Sequence, residues 1–172
     1  MANAQITTMK AVILAAGVGS RIRPLTNSSH KSLLPVKGVS ILERMLQNIE
    51  SEGITDIIIV TGYLANQIKT LVMNEFPKLK IAFVHNSRYE NTNTGYSLLL
   101  TKELVGDSDF IKFDADVVFE QSVLKNLINN KNSNCLCIDT NIHLDKEEVK
   151  VALTKDGAIS AVSKKLDPKN SH

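Results

Sequence analysis

Tryptophan is absent from this chain of 172 residues, cysteine occurs only twice, and positive and negative charges nearly cancel, leaving a formal +2 at pH 7. Each scarcity removes a class of function. So small a net charge excludes a general nucleic-acid binder, and any basic function must be local. No apolar run approaches the ~20 residues of a membrane span, and no basic, apolar and small-residue sequence of a signal peptide opens the chain. Two thiols are too few for a closed zinc site. Cys135 and Cys137, one residue apart in an apolar run, are read as two small buried hydrophobes on one face of a strand, in a reducing cytosol and with no redox role. The expectation is a cytoplasmic protein with neither nucleic acid nor membrane as partner.

What is present is enough apolar sequence, 43% of residues, to bury a real core in one domain spanning 1–172. A polar leader, Met1 to Met9, precedes a first strand, Lys10 to Leu14. Ser40 is placed as N-cap of a helix, with Glu43 three residues on as in a capping box and an apolar stripe at Ile41, Leu42, Met45, Leu46 and Ile49. The β-branched run Ile57-Ile58-Ile59-Val60 is of the kind buried on both faces of a parallel sheet. Alternation continues: a helix from Asn66 to Phe76, a strand from Lys80 to Val84, a helix from Tyr96 to Leu104, and a strand from Phe110 to Phe113. A helix carrying Val123, Leu124, Leu127 and Ile128 and a strand from Asn134 to Asp139 follow. This order predicts an α/β fold with a doubly wound, mostly parallel sheet. Glu148 to Thr154 and Ala158 to Ser163, separated by Lys155-Asp156-Gly157, predict a C-terminal antiparallel hairpin.

The most informative stretch is Leu14 to Lys31. A strand end runs into Ala15-Ala16-Gly17-Val18-Gly19-Ser20-Arg21, and Arg23 and Lys31 follow. Glycines let backbone pass close to an anion, and nearby N–H groups, a hydroxyl and cations supply what a polyphosphate lacks. A dinucleotide fingerprint is excluded because its third glycine is missing at Ile22 and no helix begins within the motif. A P-loop is excluded because no Gly-Lys-Ser/Thr follows. A long, basic, flexible loop remains, suited to wrapping a triphosphate with Arg21 and Lys31 as its main charges. Asp114 and Asp116 stand at another strand end, where open parallel sheets place ligands. Their carboxylates, two residues apart, offer hard oxygens for a Mg²⁺ that bridges to phosphates.

These residues resemble the signature of the sugar-nucleotide pyrophosphorylase type of nucleotidyltransferase. The chain carries Leu14-Ala15-Ala16-Gly17, Gly19-Ser20-Arg21, Pro24-Leu25-Thr26, Lys31 and Leu33-Leu34-Pro35-Val36. His30 departs from the family's usual proline, and is expected to loosen the backbone before Lys31. The resemblance implies a Rossmann-like nucleotidyltransferase fold, with Arg21 and Lys31 catalytic and Asp116, helped by Asp114, holding Mg²⁺. It implies nucleotide-binding roles for Leu14, Ala15, Ala16, Gly17, Gly19, Ser20, Asn86 and Gly95, and an acceptor-phosphate role for Lys164, or for Lys165 beside it. The stretch Asn93-Thr94-Gly95-Tyr96-Ser97-Leu98 and the Asp-Ala-Asp strand end look most like cytidylyltransferases acting on phosphocholine, aminoethylphosphonate or inositol phosphate. The implied partners are a nucleoside triphosphate, CTP first, and a small phosphorylated acceptor. Relatives continue past the end of this chain with further elements and a second metal-binding aspartate, so the expectation is either a fragment or a shortened form of the domain. Rival readings are a non-catalytic nucleotide sensor, a hexose-1-phosphate nucleotidyltransferase, and a molybdopterin-guanine or glycosyl transferase.

Overall fold

A computed structural model describes residues 9–132, 134–140, 148–167 and 171; the expected polar leader lies, but for Met9, outside the described residues. The chain divides into two compact units, residues 1–125 and 126–172. In the first, β1 (Lys10–Ala15) leads through a long loop to a small antiparallel pair, β2 (Pro35–Val36) and β3 (Val39–Ser40). Then come α1 (Ile41–Ser51), β4 (Asp56–Thr61), α2 (Ala65–Glu75), β5 (Lys80–His85), α3 (Thr94–Leu99), α4 (Lys102–Val105) and β6 (Phe110–Asp114). Helix α5 (Gln121–Ile128) runs across the boundary between the units.

The central sheet has the order β5-β4-β1-β6 with every pairing parallel. Val12, Leu14, Ala16, Ile58, Val60 and Val105 form the core on one face. Ala11, Ile13, Ile57 and Ile59 alternate with them, point the other way, and are buried as well. Burial on both faces is why 57–60 is a continuous β-branched run. In α1 the Glu43 N–H donates to Ser40 Oγ at 3.2 Å, closing the first turn. Leu42, Met45, Leu46 and Ile49 are all buried, each contributing about 1.5–3 kcal/mol.

The second unit contains β7 (Lys150–Leu153) and β8 (Ile159–Ser163), paired antiparallel. Their turn passes through Gly157 at φ 83°, a left-handed value that favours glycine. Lys150 is buried, its Nζ donating to the carbonyls of Glu148 and Lys164 at 3.1 and 3.2 Å. No helix among the described residues is long and apolar enough to cross a membrane.

The structure corrects several expectations. Residues 134–139 form no strand, and no ladder recruits them among the described residues. Cys135 and Cys137 are therefore exposed rather than buried, as are Leu136 and Ile138. The helix expected from Tyr96 to Leu104 begins earlier, at Thr94, where the Asn93 side chain accepts from Tyr96 N–H at 3.1 Å. It is interrupted near Thr101, whose hydroxyl donates back to Leu98 O at 2.7 Å and competes with the helical ladder. The loop after β1 is not left free either: it holds two 3₁₀ turns, Ser20–Ile22 and Lys31–Leu33, before β2.

Candidate functional site

In the order β5-β4-β1-β6, successive connections move to one side of β1 and then cross to its other side, so the winding reverses between β1 and β6. Loops that leave those two strands in opposite senses open a crevice at their C-terminal ends. The loop after β1 and the segment Asp114–Asp116 after β6 border that crevice. Ala115 N–H donates to Leu14 O at 3.3 Å and Tyr63 N–H to Ala16 O at 3.1 Å, so the ends of β6 and β4 are tied to the exit of β1. Gly62 lies at that tie: a Cβ there would stand 2.7 Å from Ala16 O and 2.7 Å from Tyr89 Cβ.

Leu14 and Ala15 are strand residues with buried side chains, so what they offer a ligand is backbone. Beyond them the N–H groups of Gly17, Val18, Gly19 and Ser20 donate to no acceptor among the described residues. Gly19 sits at φ 68°, and alternation of left-handed with ordinary backbone turns consecutive amides toward one side, which is how anion-binding concavities form. Thr26 fixes the bend by donating its hydroxyl to Gly19 O at 2.9 Å. Lys31 returns over this backbone: a Cβ on Gly17 would lie 3.8 Å from its Cε and Nζ, and one on Gly19 only 3.3 Å from its Cβ.

The Lys31 ammonium ends 2.7 Å from Asp116 Oδ2. Burial pushes the Asp116 carboxyl upward, but the hydrogen bond and charge of Lys31 outweigh it. With help from its own backbone amide and from the Arg21 charge, they hold the carboxyl below the ordinary carboxylate range. Arg21, Lys31 and Asp116 thus form one electrostatic group. Asp114 has a different partner: its Oδ2 receives Lys112 Nζ at 2.6 Å.

His30 is fully buried, and instead of loosening the backbone before Lys31 it caps the turn that carries Lys31. Its Nδ1 accepts from Ser32 N–H at 3.2 Å and lies 2.8 Å from Ser32 Oγ. Burial, then the neighbouring Lys31 charge, lower its pKa from 6.5 to about 4, against smaller opposing effects of the Gly17 and Ala15 backbone and of Asp116. The ring is therefore neutral near pH 7 with its proton on Nε2, an atom buried without a hydrogen-bond partner among the described residues.

Asn86 lies at the end of β5, also buried. Its amide donates to Thr92 Oγ1 and Ser97 Oγ at 3.0 and 3.1 Å, and its Oδ1 accepts from Arg88 N–H at 2.9 Å. These bonds shape the loop that leads to Gly95, which is exposed in the first turn of α3. Lys164 belongs to the second unit, in the turn after β8, where its carbonyl accepts from Lys150. Sequence reasoning missed Tyr63 and Gln67, whose side chains hold the β1 loop from outside. Their spacing fits a helix, but nothing local says what they touch.

The pattern of the family described as Nucleotidyl transferase matches residues 10–148. A choline-phosphate cytidylyltransferase of Haemophilus influenzae is 40% identical over 115 residues, covering 67% of this chain and 47% of that protein. A CTP:phosphocholine cytidylyltransferase structure from Streptococcus pneumoniae aligns with TM-score 0.56 at 38% identity, covering 63% of this chain and 45% of that one. The inositol-1-phosphate CTP transferase of T. maritima, at 20% identity, shares the fold with TM-score 0.75 over 96% of this chain and 67% of its own. The chain spans about half the length of the curated relatives it matches.

Proposed function

The chain belongs to the nucleotidyl transferase family, and from that premise we propose that it joins CTP to a phosphate monoester or phosphonate such as phosphocholine, releasing pyrophosphate. An acceptor phosphate oxygen attacks the α-phosphorus, a new P–O bond forms, and the bond from the α-phosphorus to the β-bridging oxygen breaks. Little covalent work falls to the protein, so rate comes from alignment and charge stabilisation. The observation that carries this reading is the meeting of two strand ends: amides 17–20, which have no acceptor among the described residues, lie beneath Lys31, whose ammonium reaches Asp116 at 2.7 Å.

In this reading Arg21 binds the leaving pyrophosphate and Lys31 the reacting phosphates, while the loop amides hold the triphosphate. Leu14, Ala15, Ala16 and Gly95 contribute backbone, and Asn86 acts through the loop it shapes. Lys164 is the candidate for the acceptor phosphate. Mg²⁺ fits the donor set, because Asp116 is 41% exposed, is kept ionised, and already takes a cation on one oxygen. Asp116, with Asp114 as an accessory oxygen donor, would hold the ion, which would neutralise phosphate charge. The choline-phosphate cytidylyltransferases among the relatives support the cytidylyl and phosphomonoester parts of the proposal. Two exposed free thiols fit a reducing compartment and support a cytoplasmic location.

The test is pyrophosphate release from each of the four common nucleoside triphosphates with Mg²⁺ across an acceptor panel that includes phosphocholine. Release that requires CTP and a phosphorylated acceptor is expected. CTP binding with no release from any acceptor overturns the reading in favour of a sensor.

A further inference from the structure

Lys31 lies at the far end of a loop that leaves β1 at Ala15, and the short-range structure of that loop consists of single-turn 3₁₀ segments and tight turns such as those closed by Leu25 N–H to Ile22 O and Asn27 N–H to Pro24 O. A flexible ammonium delivered by such a loop would spread over many positions, and ordering it costs entropy that must be met by fixed contacts. Beside the loop's own turns, several of those contacts come from outside it. Tyr63, two residues beyond the end of β4, donates its N–H to Ala16 O at 3.1 Å, at the loop's entry. Its hydroxyl lies 3.1 Å from Thr26 O and 3.2 Å from Asn27 O, in the loop's second half. One residue therefore ties both halves.

Gln67, on α2, completes the arrangement. Its Nε2 donates to Ser28 O at 2.7 Å and its Oε1 accepts from His30 N–H at 2.9 Å. Both ends of the amide are used, so its orientation is fixed by the partners: a donor faces a carbonyl and an acceptor faces an N–H. The residue gripped last, His30, is the one before Lys31, and its buried ring caps the Lys31 turn through Ser32 N–H. Fixed hydrogen bonds thus run from α2 to the turn bearing the ammonium.

Resting on the reading above, we propose that Tyr63 and Gln67 are positioning residues that hold the β1 loop so that Lys31 meets the phosphates. Neither has to touch a ligand, because the polar atoms described are spent on loop backbone. Their effect is exerted through Lys31, and that separates positioning from a general contribution to folding.

The test is a double-mutant cycle on anion affinity, which does not depend on turnover. Calorimetric titration with inorganic pyrophosphate and Mg²⁺ is carried out on the wild type, Tyr63→Phe, Gln67→Met, Lys31→Ala and the two doubles with Lys31→Ala. Tyr63→Phe removes only a hydroxyl, so it remains informative if Gln67→Met lowers the melting temperature. Each single variant is expected to weaken binding about three- to tenfold, the scale of one lost hydrogen bond. On the Lys31→Ala background the same changes should have less than about a twofold effect. Gln67→Glu keeps the acceptor for His30 N–H and should fall between wild type and Gln67→Met. Wild-type affinity in both singles, or equal losses with and without Lys31, overturns the proposal. Pyrophosphate release measured in parallel judges the enzymatic reading separately: a coupled cycle without turnover upholds the positioning role while that reading fails, and a wild type that binds no pyrophosphate sinks both.

Discussion

The ammonium of Lys31 and the carboxylate of Asp116, 85 positions apart in the chain, meet at 2.7 Å. One comes from the loop after β1 and the other from the end of β6, and those strands are neighbours only because the sheet order reverses between them. The pair makes the C-terminal edge of the sheet a place where cations and a hard oxygen face the same volume. In the proposed reading, a polyphosphate entering there would meet positive charge and loop amides.

Removing either charge should cost rate and leave the fold. Arg21 is exposed and Asp116 is 41% exposed, so neither supports the core. Loss of a charge that acts mainly in the transition state lowers turnover by ~10²–10³. Arg21→Ala and Asp116→Ala are expected to show that loss in pyrophosphate release with melting temperatures near wild type. Wild-type rates in either variant would end the assignment.

The Asp116 carboxyl should titrate below a normal aspartate, because Lys31 stabilises its charged form more than burial opposes it. Its folded pKa is depressed, so the pair persists above the ordinary aspartate range and is lost as pH falls through the lowered value. Carbon-detected NMR titration of the side chain reads this directly. In Lys31→Ala the favourable hydrogen bond and charge vanish while burial remains, and the midpoint is expected to move up.

His30 imposes a second pH dependence of the same sign, here because the fold favours the neutral form. Unfolded, it protonates near 6.5; folded, it stays neutral down to about 4. Between these values the unfolded chain binds more protons, so stability falls as pH drops through that window and levels off above it. The full shift corresponds to roughly 3 kcal/mol. Urea midpoints at pH 7.5 and pH 4.5 should differ less in His30→Asn, which keeps a capping side chain without the titratable ring. An unchanged difference would remove His30 as its source.

Two glycines of the site should respond differently to alanine. A Cβ at Gly62 collides with Ala16 O and with Tyr89 Cβ and Cγ at 2.7 to 2.8 Å, where backbone has little room to yield. At Gly17 it meets only the end of Lys31 at 3.8 Å, an ordinary contact. Gly62→Ala is expected to destabilise by about 1–3 kcal/mol, as overpacking does. Gly17→Ala should melt within a degree or two of wild type, a shift on the order of 0.5 kcal/mol or less.

Much of the fold was legible because its signals are local. The apolar stripe of α1 and its Ser40 cap, the β-branched run of β4, and the Asp-Gly turn between β7 and β8 each depend on residues within a few positions. The misread segments depended on distant partners. Residues 134–139 have the composition of a strand, yet a strand exists only where a neighbour supplies its hydrogen bonds, and none among the described residues does. Asn86 was named through the family resemblance as a nucleotide-binding residue, but not as the centre of a network joining Arg88, Thr92 and Ser97.

By itself the sequence determined the alternation of strands and helices, the place of the glycine loop after the first strand, and the chemical kinds of group available to it. Spacing along a chain carries that information, since helix and strand periods span only a few residues. Only the tertiary structure decided that Lys31 faces Asp116, that His30 is buried beneath the loop it was expected to loosen, and that Tyr63 and Gln67 grip that loop. Such pairings follow from the order of strands in the sheet, and contacts across that order have no period in the sequence from which to be read.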